Sequence, residues 1–149
     1  MAYILAIESS CDESSISIIK NEEIIKTITF SQESEFKKIG GVIPELASRM
    51  HEKNLPLVLN QIKSEFNLEQ LNAVAVTVSP GLIGCLQMGL QMAKTISMFY
   101  NIPLITIDHI VGHIYSGEIE NEYKYPLIAL IASGGNTQLI HVKKEMNFN

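Results

Sequence analysis

Tyr3-Ile4-Leu5-Ala6-Ile7-Glu8-Ser9-Ser10-Cys11-Asp12-Glu13-Ser14-Ser15-Ile16-Ser17-Ile18-Ile19-Lys20 holds two short isoleucine-rich runs separated by one polar turn. Residues 3–8 and 15–20 each have the length and β-branched content of a strand, and residues 23–30 make a third. The links between them are only a few residues long, so the three predict an antiparallel meander. A plain doubly wound sheet would place a helix after its first strand. Residues 9–14 are too few to hold one.

Downstream, a polar, glycine-containing loop is expected over residues 31–41, and Pro44 sits where a first helical turn tolerates proline. Leu46, Ala47 and Met50 share one helix face; Pro56 is expected to kink or split the helix before Val58, Leu59, Ile62 and Phe66 continue it. Residues 73–78 form an unbroken apolar run, as expected of a strand covered on both faces. Ser79-Pro80-Gly81 then opens a loop into a long helix over 84–100. A strand at 105–108, a short helix at 109–117 and a new strand from 127 complete the pattern. The order β-β-β-α-β-α-β resembles an α/β lobe of the ribonuclease-H/actin-like (ASKHA) class.

A weak internal repeat supports this class. Strand, small polar turn and strand recur at the chain's end, where residues 128–134 and 139–143 echo residues 4–10 and 16–20. Actin-like enzymes have two related lobes that each open on such a hairpin. Residues 1–124 are therefore expected to form a first lobe, and residues 125–149 the first hairpin of an incomplete second one.

The composition, 46% hydrophobic and 18% charged, is that of a globular chain. No run approaches the roughly 18 apolar residues of a membrane span. The amino terminus lacks a basic region and reaches Glu8 after a short apolar run, so it reads as a strand and not as a signal peptide. Cys11 and Cys85 form no C-x-x-C pair; both are expected in turns, and a reducing cytoplasm fits them. With a net charge of −5 and Arg49 the only arginine, an RNA partner would have to find much of its phosphate contact elsewhere.

Four segments have residues suited to chemistry. In the first turn, Asp12 and Glu13 offer carboxylates for a cation or a reacting group, although turns also favour Ser and Asp for local hydrogen bonds. Ser79-Pro80-Gly81-Leu82-Ile83-Gly84 joins a buried strand to a helix start, where glycines allow close approach of an anion or simply of the neighbouring backbone. His109 and His113 are four apart, so both imidazoles can reach one cation. A pair is incomplete, since a catalytic metal usually takes three protein ligands. Ile110 stands where H-E-x-x-H has its glutamate, so the zinc-protease base is missing. Ser133-Gly134-Gly135-Asn136-Thr137 suits either an anion-wrapping turn or a plain hairpin. His51 is read as solvated and without a role, and His141 as a structural strand residue.

Taken together, the segments resemble one family in order and spacing: 7–13, 40–49 with His51, 80–84, His109 with Gly112-His113, and 133–139. It is the tRNA N6-adenosine threonylcarbamoyltransferase family, TsaD in bacteria, formerly labelled a glycoprotease, and the resemblance is to its amino-terminal portion. The resemblance implies transfer of a threonylcarbamoyl group from threonylcarbamoyl-adenylate to N6 of the adenosine 3′ of the anticodon. It implies His109 and His113 as two ligands of one iron(II) per subunit, with a third, an aspartate near the carboxy terminus, absent from this sequence. Ile131, Ala132, Ser133, Gly134 and Gly135 look like the substrate-binding stretch, and Asp12 and Glu13 like the acidic turn that activity needs. The implied partners are tRNA, an actin-like paralogue subunit (TsaB) and a P-loop ATPase subunit (TsaE), in the cytoplasm and with no membrane. Asp108 and Asn136 depart from the family's usual histidines. The rivals are the old metalloprotease label and a non-catalytic actin-like scaffold subunit; the scaffold would be expected to lack the histidine pair.

Overall fold

A computed structural model of the chain describes residues 1–119, 121–133 and 136–148, in two compact units, Met1–Asp108 and His109–Asn149. The first unit opens on strands β1 (Tyr3–Glu8), β2 (Glu13–Lys20) and β3 (Glu23–Ser31). Registers run antiparallel from Tyr3 opposite Lys20 to Glu8 opposite Ser15, and from Lys20 opposite Glu23 to Glu13 opposite Ser31. The meander expected from the opening residues is therefore present. Two further strands, β4 (Ala73–Ser79) and β5 (Leu104–Asp108), add parallel to it, giving the order β3-β2-β1-β4-β5.

The strands' alternation decides which face the helices cover. Leu5 and Ile7 of β1, Ile16 and Ile18 of β2, and Val74 and Val76 of β4 are all buried on one side. Against them pack Leu55, Val58 and Ile62 of helix α2 (Pro44–Glu65) and Ala93 and Ile96 of helix α3 (Ile83–Tyr100). Fully burying a side chain of this kind contributes about 1.5–3 kcal/mol, so this cluster is the main stabilising element of the unit. Ala73, Ala75 and Thr77, on the other face of β4, are buried as well, as the unbroken apolar run predicts.

Two expectations fail. The segment read as a loop over 31–41 contains helix α1 (Glu33–Ile39). It has only Phe36 buried, too little to show an apolar period, and the local signals are charges: Glu33 pairs with Lys37 and Glu35 with Lys38, both at 2.8 Å. Gly40, at φ +82°, ends it in the left-handed conformation that glycine adopts without strain. Pro56 does not split α2, which runs unbroken for 22 residues. Pro56 lies on the exposed side, as does Glu52, whose carbonyl loses its usual donor and can be met by water. The buried stripe Ala47, His51, Leu55, Val58 and Ile62 continues past it.

Gly89 of α3 makes a direct test of the packing. A Cβ there would overlap Ser9 Oγ, which is held by donating a 2.9 Å hydrogen bond to the Cys85 carbonyl. Helix propensity alone favours alanine over glycine by about 1 kcal/mol. Here the overlap decides the sign, so Gly89→Ala should lower the denaturation midpoint, and adding Ser9→Gly should recover most of the loss. A stabilised Gly89→Ala single variant in urea melts would refute the packing.

The second unit comprises helix α4 (His109–Ser116) and strands β6 (Leu127–Ser133), β7 (Asn136–Lys144) and β8 (Asn147–Phe148), in the antiparallel order β6-β7-β8. The β6–β7 hairpin matches the expected repeat of the β1–β2 hairpin, while the two-residue β8 is too short to be read from sequence. The Tyr123 hydroxyl donates to the Ile114 carbonyl, and the Met146 N–H donates to the Tyr115 hydroxyl at 2.7 Å. These bonds tie α4 to the rest of its unit. No helix among the described residues is long and apolar enough to cross a membrane.

Candidate functional site

In the first unit the acidic turn between β1 and β2 is fastened on every side. Glu8 accepts from the Ser10 N–H with one carboxylate oxygen and from the Thr77 hydroxyl with the other. The Ser10 carbonyl accepts from the Leu82 N–H at 2.8 Å, and the Asp12 carbonyl from the Gln32 N–H at 2.9 Å. Ser9 and Ser10 are buried, Asp12 is half-buried and Glu13 is exposed. The Ser9 hydroxyl, bonded to the Cys85 carbonyl, is thus spent on structure, and Glu13 is the carboxylate that solvent reaches most freely.

The contacts around Gly81, in the loop before α3, and Gly84, the second residue of α3, explain both glycines. A Cβ on Gly81 would lie 2.7 Å from the Ser10 carbonyl oxygen, so the close approach concerns the neighbouring turn. On Gly84 it would lie 3.1 Å from Ser48 Oγ of α2. Of the two readings open for this segment, backbone packing is the one these contacts account for. Cys85 was expected in a turn; it lies instead in the first turn of α3, fully buried, and burial pushes its thiol up to about 11. Cys11 is exposed, and it too is raised, first by desolvation and then by Asp12. Neither cysteine is in a disulfide, and neither is set up as a thiolate nucleophile.

His51, given no role from the sequence, is fully buried. Its Nδ1 lies 2.7 Å from Ser14 Oγ and its Nε2 lies 2.9 Å from the Cys11 carbonyl oxygen. The signal that would have found it is its spacing, four residues after Ala47 and four before Leu55 on the buried stripe of α2.

In the second unit, α4 begins at His109 and brings the two Nε2 atoms of His109 and His113 to 3.0 Å, with the rings edge-on at a centroid distance of 4.4 Å. A shared proton fits this geometry, and so does a shared cation. Two metal–nitrogen bonds of about 2.1 Å spanning that separation subtend roughly 90° at the ion, the bite of adjacent ligands. Among the described residues no third His, Cys, Asp or Glu joins the pair. Ile131 is half-buried and Ala132 exposed at the end of β6, opposite Gln138 and Thr137. The backbone of Ser133 pairs with Asn136, and Gly134 and Gly135 lie outside the described residues. His141 is on β7, as expected.

The chain is similar to known proteins over nearly all its length. Residues 23–149 match the family model TsaD, described as tRNA N6-adenosine threonylcarbamoyltransferase. Curated proteins of that name from Listeria welshimeri and Mycoplasma capricolum are 45% and 48% identical over 148 and 147 residues. Each alignment takes in 97% of this chain but 43% and 46% of the relative, so the chain spans less than half their length. Among solved structures, YeaZ from Pseudomonas aeruginosa superposes with a TM-score of 0.61 at 14% identity, covering 100% of this chain and 64% of that one. At that identity the likeness speaks for the fold, and it bears out the ribonuclease-H/actin-like lobe. With a family match that runs from residue 23 to residue 149 and relatives aligned over 97% of its residues, the chain belongs to the TsaD family of tRNA N6-adenosine threonylcarbamoyltransferases.

Proposed function

We propose that this chain supplies the first lobe and the opening hairpin of the second lobe of a cytoplasmic acyltransferase that moves a threonylcarbamoyl group from threonylcarbamoyl-adenylate to N6 of the adenosine 3′ of the anticodon in tRNA. The observation that carries the reading is the 45–48% identity to proteins named for that transfer, across 97% of the chain. In the reaction N6 attacks the carbamoyl carbon, the bond from that carbon to the phosphate oxygen breaks, adenylate departs, and N6 sheds a proton. The amine is a weak nucleophile because its lone pair is delocalised into the purine, so the rate rests on positioning and on polarising the mixed anhydride.

The exposed Glu13 carboxylate is suited to take the proton from N6, with Asp12 holding the turn's negative field beside it. His109 and His113 are suited to hold iron(II), with a further ligand from beyond the described residues; when bound, the ion would supply Lewis-acid charge for the leaving phosphate. Residues 131–135 are proposed to bind the substrate. An actin-like paralogue (TsaB) and a P-loop ATPase (TsaE) are the proposed protein partners. The metalloprotease reading has no base to activate water, since Ile110 occupies the glutamate position on α4.

The test is a chimera in which this chain replaces the matching part of the Listeria welshimeri relative. Given threonylcarbamoyl-adenylate, tRNA and that organism's partner subunits, it should modify tRNA within about tenfold of the parent. A soluble chimera that binds tRNA but transfers nothing would overturn the assignment.

A further inference from the structure

We infer that His51 is the positioning residue of the acidic turn, one imidazole that clamps Cys11 and Ser14 from below and so fixes where Asp12 and Glu13 project. The inference rests on the reading of those two carboxylates as part of the transfer site.

The bonding pattern fixes the ring's chemistry. A carbonyl oxygen only accepts, so the 2.9 Å contact to the Cys11 carbonyl requires a proton on Nε2. In the neutral ring Nδ1 is then an acceptor, and the Ser14 hydroxyl donates to it at 2.7 Å. Cys11 and Ser14 immediately flank Asp12 and Glu13, so one side chain bonds to both ends of the acidic pair. That side chain is fully buried and carried by the longest helix of the unit, which makes it a rigid support. Burial lowers its pKa, partly offset by the Cys11 carbonyl and by the charges of Glu8 and Asp12, in keeping with a neutral ring. As pH falls below the ordinary imidazole range, the unfolded chain takes up a proton that the folded ring refuses, so stability is lost on the acid side.

Two measurements test this. In nitrogen NMR of the 149-residue chain, His51 should appear as a neutral ring protonated at Nε2 at neutral pH and take up its second proton only at lower pH than a free imidazole does. His51→Leu should move the backbone amide resonances of residues 11–14, and His51→Gln, which keeps an N–H near the Nε2 position, should restore most of them. In the chimera, His51→Leu should lower kcat for transfer about 100-fold with KM for tRNA within about twofold, and His51→Gln should recover part of it. Against an Asp12→Asn, Glu13→Gln background, His51→Leu should cost no more than about a further twofold, because it acts only through those groups. Multiplying losses, unmoved turn amides or an ordinary titration of His51 would each overturn the inference. If the Asp12→Asn, Glu13→Gln chimera itself keeps full activity, the functional reading of the turn fails instead, and the amide and tautomer data still decide the clamp.

Discussion

Alanine at both His109 and His113 is expected to abolish the proposed binding of iron(II) by this chain, while either single replacement weakens it by at least about 10-fold. The expectation comes from the convergence of two Nε2 atoms to 3.0 Å on the first turns of α4. Helical spacing alone places the two side chains on one face; the ring orientation brings their nitrogens to one point. Truncating one imidazole leaves a lone nitrogen, which has no chelate advantage. Anaerobic calorimetry with iron(II) on the 149-residue chain, its two single variants and the double variant measures this. Equal heats for all four would leave a shared proton as the sole reason for the geometry. Stability should be little affected: His113 is exposed, and the buried residue of this helix is Ile114.

The parts of the fold that could be read from the sequence are those with a strong repeating period. The alternation in β1 and β2 and the unbroken run in β4 set strand, face and neighbour, and the short links left only a meander. α1 was hidden because its local signals are the Glu33–Lys37 and Glu35–Lys38 pairs and a glycine cap, and its one buried residue, Phe36, makes no apolar period. Pro56 misled because the cost of a proline depends on which side its orphaned carbonyl faces, and that requires knowing the buried stripe. The site divides in the same way. The histidine pair declares itself by spacing, whereas His51 looks like any polar residue until the stripe through Ala47 and Leu55 is drawn. Gly81, in the loop before α3, was legible as close approach but not as approach to the Ser10 carbonyl, since the partner lies some seventy residues away along the chain.

The second large effect concerns the turn itself. In the chimera, Glu13→Gln is expected to lower the transfer rate at least about 100-fold, the usual worth of a general base, and Asp12→Asn to lower it by a similar order. Both replacements keep shape and volume, so what they remove is charge and basicity. Glu13 is exposed at the first residue of β2, where a polar substitution ordinarily shifts stability by no more than about 0.5 kcal/mol. Asp12 holds the turn through its backbone carbonyl, which the side-chain change leaves bonded to the Gln32 N–H. Rate and stability should therefore separate: activity collapses while the denaturation midpoint stays within a few degrees of the parent. Melting curves and single-turnover transfer rates on the same preparations distinguish the cases. If the two quantities fall together, the carboxylates hold the turn and do no chemistry. The proton from N6 must then be received by a group outside Asp12 and Glu13.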